Sequence, residues 1–298
     1  MIPTFVIFFR EGIEASMIVA VLLSYLNRIG QRRYFRDIFL GVAAAIVLVV
    51  GGGVAAFLLV SQYDGSNVQT YFETATYLVA AGALTYMTFW MQSHARTLTK
   101  ELEHRSELAL SGGTRAGLGL LAFQAVGREG VETMVFTLAI VFASTKQAAT
   151  PVHGNFLLGG AALGLLVALG FAFAIYRLGA RLNLRRFFQS LGVLLMIFAA
   201  GLLADAVENL QQLGWLAIGE KALWNTSSWV SEGSSIGDVL HSLLGYAERP
   251  TVLQAAVWGA YVAISIFTFI RMGRSGVKGR PTVQPLAQGS SPKAVVEN

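Results

Sequence analysis

At 298 residues, 54% of them hydrophobic and only 13% charged, the chain has a mean hydropathy of +0.58, far too apolar for a soluble domain. Its formal charge of +5 and pI near 9.6 come from basic clusters flanking apolar stretches, which anchor a membrane protein and give no reason to invoke nucleic acid. Cysteine is absent, which excludes disulfides, thiolate metal ligands, iron–sulfur clusters and thiol catalysis.

Seven stretches are long enough to cross a hydrocarbon core of about 30 Å. They are 2–26, 38–60, 71–91, 116–142, 156–176, 187–213 and 251–270. The first reads as a retained helix and not a signal peptide, because Arg10, Glu11 and Glu14 interrupt the place of an apolar h-region. Basic residues crowd alternate links: Arg28, Arg32, Arg33 and Arg36; Arg96, Lys100, Arg105 and Arg115; Arg177, Arg181, Arg185 and Arg186; Arg271, Arg274, Lys278, Arg280 and Lys293. The opposite links carry only Lys146, Lys221 and Arg249. This bias predicts an all-α, multi-pass protein of the cell (inner) membrane with its N-terminus outside and its C-terminus in the cytoplasm.

In the first stretch stands Arg10-Glu11-Gly12-Ile13-Glu14, and in the fourth Arg128-Glu129-Gly130-Val131-Glu132, offset by 118 residues. An ionised side chain at the bilayer centre costs roughly 2.5–3.5 kcal/mol, so six approach about 15–20 kcal/mol, more than a typical net stability. They must pair with each other, with water or with a ligand. Two arginines against four glutamates leave a formal charge of −2, which a cation balances. Because three stretches, an odd number, separate the copies, the second enters the membrane from the other side, as in an inverted repeat with its site near the midplane. The predicted organisation is a seven-span domain over 1–272, comprising repeat one (1–93), a cytoplasmic linker (94–115), repeat two (116–213), an outer loop (214–250) and a seventh span (251–270) outside the repeat. A disordered tail occupies 275–298.

Helical spacing puts Arg10, Glu11 and Glu14 within an arc of about 100° and Gly12 opposite, where it permits close packing of a neighbouring helix. An ion pair that merely tolerates burial would explain one copy; two copies at matched depth point to a shared site. Four carboxylates from two helices, Glu11, Glu14, Glu129 and Glu132, make a hard oxygen site suited to iron, manganese, magnesium or calcium. The histidines His94, His104, His153 and His241 all fall outside the stretches, which argues against haem, an imidazole-rich zinc site and a histidine proton relay.

Toward the outer face lie Glu73, at the start of the third stretch, and Asp205 and Glu208, three apart on the sixth. They read as an access funnel that dehydrates a cation in steps; for Glu73, an interfacial role beside a helix N-terminus is an equal reading. Tyr25 and Gln124 lie on the cytoplasmic side of the motifs as candidate exit-lining residues. In the linker Lys100, Glu101, Glu103 and Glu107 read as a solvated helix. The loop at 214–250, with Trp215, Trp224, Trp229 and His241, reads as a lid, a docking surface or an interfacial aromatic belt.

At the two Arg-Glu-Gly-x-Glu motifs the chain resembles the high-affinity iron permeases of the oxidase-dependent iron transporter family. The likeness covers about residues 1–272. It extends to Asp205-x-x-Glu208 and to Leu223-Trp224-Asn225-Thr226-Ser227-Ser228 with Gly245-Tyr246, and is strongest to the bacterial Efe-type permeases. The resemblance implies seven spans and inward movement of iron, with ferric iron the usual candidate. It implies external partners: an iron-binding protein and a peroxidase in bacteria, or a multicopper oxidase in fungi. By it Arg10, Glu11, Glu14, Arg128, Glu129 and Glu132 form the iron pathway, with Asp205 and Glu208 as accessory ligands. Ile13 and Val131 replace the leucine frequent in the motif, and the outer acidic clusters of the fungal loop have no close counterpart.

Iron is thus expected as transported substrate and not as cofactor, in a secondary-type transporter. The alternatives are a carrier or exporter of another cation such as lead or manganese and, more distantly, an intramembrane lipid-modifying enzyme using paired glutamates as acid and base. No Gly-x-x-x-x-Gly-Lys loop, His-Glu-x-x-His pair or Gly-x-Ser-x-Gly elbow occurs, so ATP hydrolysis, zincin proteolysis and serine hydrolysis lack their parts.

Overall fold

The computed structural model describes residues 1–63, 65–94, 104, 106–108, 115–147, 154–178, 184–231 and 234–275. The predicted linker residues Lys100, Glu101 and Glu103 and the tail beyond 275 lie outside them, while Glu107 is exposed. The fold is all-helical, with no β-strand among the described residues. Its long helices are α1 (Ile2–Arg28), α2 (Phe35–Ser61), α3 (Asn67–His94), α4 (Arg115–Gln147), α5 (Gly154–Leu178), α6 (Leu184–Gln212) and α8 (Val252–Ser275). A ten-residue helix, α7 (Ser235–Leu244), sits between α6 and α8. Every predicted apolar stretch falls on one long helix, apart from the end residues Leu213 and Thr251.

Local chemistry sets the helix limits. Pro3 lies in the first turn of α1, where its missing N–H costs nothing, and Gly30 stops the helix with φ 74°. Ser234 caps α7 by accepting from the Gly237 amide at 3.0 Å, and Gly245 ends it at φ 67°. Thr251 and Gln254 form a reciprocal capping box before α8, with 2.6 Å and 3.2 Å bonds.

Three segments are long and apolar enough to cross a membrane by length and composition: Arg32–Ser61, Gln189–Gln212 and Val252–Met272. The peripheral helices expose large aliphatic and aromatic side chains, such as Val47 on α2 (73%), Leu166 on α5 (67%) and Phe267 on α8 (66%). Faces of this kind demand a lipid solvent, since soluble monomers rarely expose such continuous apolar surface.

Packing pairs α1 with α5, α2 with α4, and α3 with α6, while α1 also meets α4. Exchanging the first three helices for the next three maps these contacts onto one another. Close approaches on glycine fix the directions. Added Cβ atoms on Gly160, Gly164 and Gly12 would meet Met1, Phe5 with Phe9, and Ala168, so α1 and α5 run parallel. Gly119, Gly127, Gly130 and Gly53 likewise relate Asp37, Ala45, Val49 and Met134 in register, so α2 and α4 run parallel. Since the short link at 29–34 turns α2 back against α1, α4 runs antiparallel to α1. The two motif helices therefore run in opposite directions.

Candidate metal site

The 3.6-residue period turns each motif so that its glycine presses on a flanking helix and its acids face inward. A Cβ on Gly12 would stand 2.9 Å from the Ala168 Cβ of α5, and one on Gly130 would stand 2.8 Å from Val49 Cγ2 of α2. The glycines thus let α1 and α4 seat their carboxylates toward each other.

Arg10 donates through Nη1 to Glu11 Oε1 at 2.6 Å, and its Nε lies 3.2 Å from Glu14 Oε1. Arg10, Glu11, Glu14 and Glu129 are all buried. One carboxylate oxygen from each of Glu11, Glu14 and Glu129 lies within 4.8 Å of the others. Opposite oxygen ligands of a cation with bonds of about 2.1–2.4 Å stand about 4.2–4.8 Å apart, so the spacing fits one hard ion. Like charges so placed repel by roughly 3–4 kcal/mol per pair at an effective dielectric of about 20, a repulsion that a cation reverses. Glu11 Oε2, Glu129 Oε2 and Glu132 Oε2 are buried without a hydrogen-bond partner. Such oxygens are costly unless a proton or a cation completes them.

The two copies are not equivalent. The Arg10 side chain is 3% exposed, whereas that of Arg128 is 45% exposed. The Arg128 Nε donates to Glu132 Oε1 at 3.2 Å and lies 3.8 Å from Glu129 Oε1. Its Nη2 donates to Met87 Sδ at 3.2 Å, and the guanidinium carbon lies 5.1 Å from the centre of the Trp90 ring. Glu132 stands outside the three-carboxylate group, as the partner of this arginine.

Along α1 and α4 the polar layer lies between two apolar clusters. One joins Ile7 to Tyr77, Phe136, Ile140, Phe198 and Leu202; the other packs Ile18, Leu22, Leu26, Ile38, Leu118 and Ala122. Tyr25, a candidate exit residue, packs against the second cluster with Arg28 over its ring at 5.8 Å. Gln124, the other candidate, is exposed.

The remaining predicted acids form a separate group nearer the end of the bundle where α1 begins. Glu73 is buried and accepts from Gln69 Nε2 at 2.9 Å. Glu208 accepts from Gln212 at 3.0 Å and from Gln254 at 3.1 Å, one amide on each oxygen. Asp205 Oδ1 lies 3.6 Å from His241 Nε2. The carboxylates of Asp205, Glu73 and Glu208 all act electrostatically on the hydroxyl of buried Tyr77.

His241 departs from the sequence expectation. It does lie outside the long helices, but α7 packs on α6, α1 and α4 and carries the imidazole into the interior, where it is 6% exposed. The described residues of 214–250 therefore form a folded cap with an amphipathic helix, while Trp215, Trp224 and Trp229 remain exposed. Tyr77, Met87 and Trp90 also escaped the sequence reading. A signal for the last two existed: Met87 and Trp90 stand 118 residues before Asp205 and Glu208, the same offset as between the motifs.

Known proteins resemble this chain over nearly its whole length. The chain is 32% identical over 285 residues to the ferrous iron permease EfeU of Escherichia coli O6:K15:H31, covering 95% of this chain and 100% of that one. It is 32% identical over 278 residues to that of Shigella sonnei (93% and 98%) and over 277 residues to that of Yersinia pestis (92% and 95%). No solved structure matches it significantly. Residues 1–278 match the iron permease FTR1 family. With two Arg-Glu-Gly-x-Glu motifs on antiparallel helices and relatives named as permeases over nearly its whole length, this integral membrane protein belongs to the iron permease FTR1 family.

Proposed function

We propose that the chain imports iron across the cell membrane through the layer made by Glu11, Glu14, Glu129 and Glu132. The observation that carries this reading is the convergence of three buried carboxylates from two antiparallel helices within 4.8 Å. The seven long helices each cross the membrane, with the N-terminus outside, the C-terminus in the cytoplasm and residues 1–93 and 116–213 as inverted repeats. The basic bias of alternate links supports that orientation. An external iron-binding protein with a peroxidase supplies the ion at the outer face, as the family resemblance implies.

The residues divide the work. Arg10 holds Glu11 and Glu14 in one orientation and keeps the layer from carrying a prohibitive negative charge. The carboxylate oxygens replace water around the ion, which is the main barrier to entering the membrane. Apolar clusters pack on both sides of the layer, so inward release of iron requires the repeats to rearrange, as in a secondary-type transporter. Glu11, Glu14 and Glu129 against Arg10 leave a formal −2, which matches a divalent ion. That balance, with the names of the relatives, favours ferrous iron over the ferric iron suggested by the wider resemblance.

Radioiron uptake into proteoliposomes containing only this protein tests the reading, with ferrous and ferric iron in parallel and manganese as competitor. The parent accumulates iron and Glu14→Gln/Glu132→Gln does not. Undiminished uptake by that double variant would refute the carboxylate route.

A further inference from the structure

The two motifs share their charged residues and spacing, yet their arginines serve them differently. Arg10 reaches both of its glutamates, at 2.6 Å to Glu11 Oε1 and 3.2 Å to Glu14 Oε1. Arg128 donates to Glu132 Oε1 at 3.2 Å, but its Nε stops 3.8 Å from Glu129 Oε1, beyond hydrogen-bonding distance. Glu129 is the one residue that α4 contributes to the three-carboxylate group.

Two side chains of α3 account for the shortfall. Met87 Sδ accepts from Arg128 Nη2 at 3.2 Å, and the guanidinium carbon lies 5.1 Å from the centre of the Trp90 ring. Met87 and Trp90 are three apart on one helix and so share a face. A thioether and a ring face hold a cation while adding no negative charge of their own. The hold is a fixed one: Met87 is 1% exposed, and Ala80 and Leu84 of α3 share a packed cluster with Phe136 and Ile140 of α4. Among the described residues no aromatic ring lies over Arg10. A guanidinium bonded to Glu129 would occupy an oxygen that the ion needs and offset the charge that attracts it.

We propose that Met87 and Trp90 are positioning residues, which hold the Arg128 guanidinium on α3 and so keep Glu129 available to the ion. The proposal rests on the reading of Glu11, Glu14 and Glu129 as the iron site. Without the hold, Arg128 shifts onto Glu129 and an incoming ion has to displace it. The apparent affinity then falls in proportion to the fraction of chains left competent to bind.

The test is equilibrium dialysis of the full-length protein in detergent against ferrous iron under nitrogen. Trp90→Leu weakens binding by roughly 3–10-fold, the range for a cation–π contact to a half-exposed guanidinium. Trp90→Phe, which keeps a ring face, restores most of the affinity, and Met87→Leu, of similar volume, weakens binding in the same direction. The decisive arm repeats Trp90→Leu in Arg128→Met, where no guanidinium remains to be held, and there the change is under about 2-fold. An effect of the same size with and without Arg128 would overturn the proposal, because it would come from packing alone. So would parent-like affinity in Trp90→Leu. Failure of the underlying reading looks different: a parent that binds no iron, or binds it equally well after Glu129→Gln, would remove the metal site and the proposal with it.

Discussion

Replacing Gly12 by alanine tests whether the motif glycine exists to seat the carboxylate helix against its neighbour. The new methyl would lie 2.9 Å from the Ala168 Cβ and 3.4 Å from Leu165 Cδ1. Ordinary carbon contacts are about 3.5–4.0 Å, so α1 and α5 must part by roughly 0.6–1.1 Å. Ala168 has no rotamer with which to yield, since its Cβ is fixed to the backbone. Overpacking of this kind costs about 1–3 kcal/mol, partly masked by the roughly 1 kcal/mol by which alanine exceeds glycine in helix propensity. A double-mutant cycle removes the mask. In Gly12→Ala/Ala168→Gly the methyl moves across the interface, the propensity terms cancel, and the coupling equals the relieved clash of about 1–3 kcal/mol. At about 2–4 °C per kcal/mol this is a coupling of roughly 2–12 °C in apparent melting temperature, read in detergent by intrinsic fluorescence. Uptake follows the same pattern, falling in Gly12→Ala and recovering in the double variant, because parting α1 from α5 displaces Glu11 and Glu14 relative to Glu129. Strictly additive melting shifts would refute the close-packing account.

The two motif arginines should differ sharply. Arg10→Met leaves two buried carboxylates uncompensated at a cost of about 3–5 kcal/mol, whereas Arg128→Met, on a half-exposed side chain, costs under about 1 kcal/mol. Monodisperse yield on size exclusion measures this, and equal losses would contradict the asymmetry of the copies. The 214–250 cap hangs on Tyr246, whose hydroxyl donates to the Val230 carbonyl at 2.8 Å and meets Thr226 Oγ1 at 2.5 Å. Tyr246→Phe removes both bonds, about 1–3 kcal/mol locally, and speeds limited proteolysis within the cap; an unchanged cleavage rate would show that the hydroxyl does not hold it.

The sequence by itself determined the helical class and the positions of the long helices, and it singled out the charged residues of the two motifs. Membrane-length apolar runs admit few structures, and Arg10, Glu11 and Glu14 stand out as charged residues within such a run. The 118-residue offset also announced the pairing of halves, because a repeated charged word leaves a period that needs no contacts to detect. What the tertiary structure decided was which of those acids meet. It brought Glu11, Glu14 and Glu129 together and gave Glu132 to Arg128, a distinction that two motifs with the same charged residues cannot encode, since it depends on the different neighbours each helix acquires. It buried Arg10 and left Arg128 half exposed for the same reason. His241 illustrates the limit most clearly. Its side chain enters the interior only because a short helix, capped by Ser234 and ended by Gly245, folds back onto α6. Hydropathy registers long apolar helices and passes over a short amphipathic one that folds back onto them.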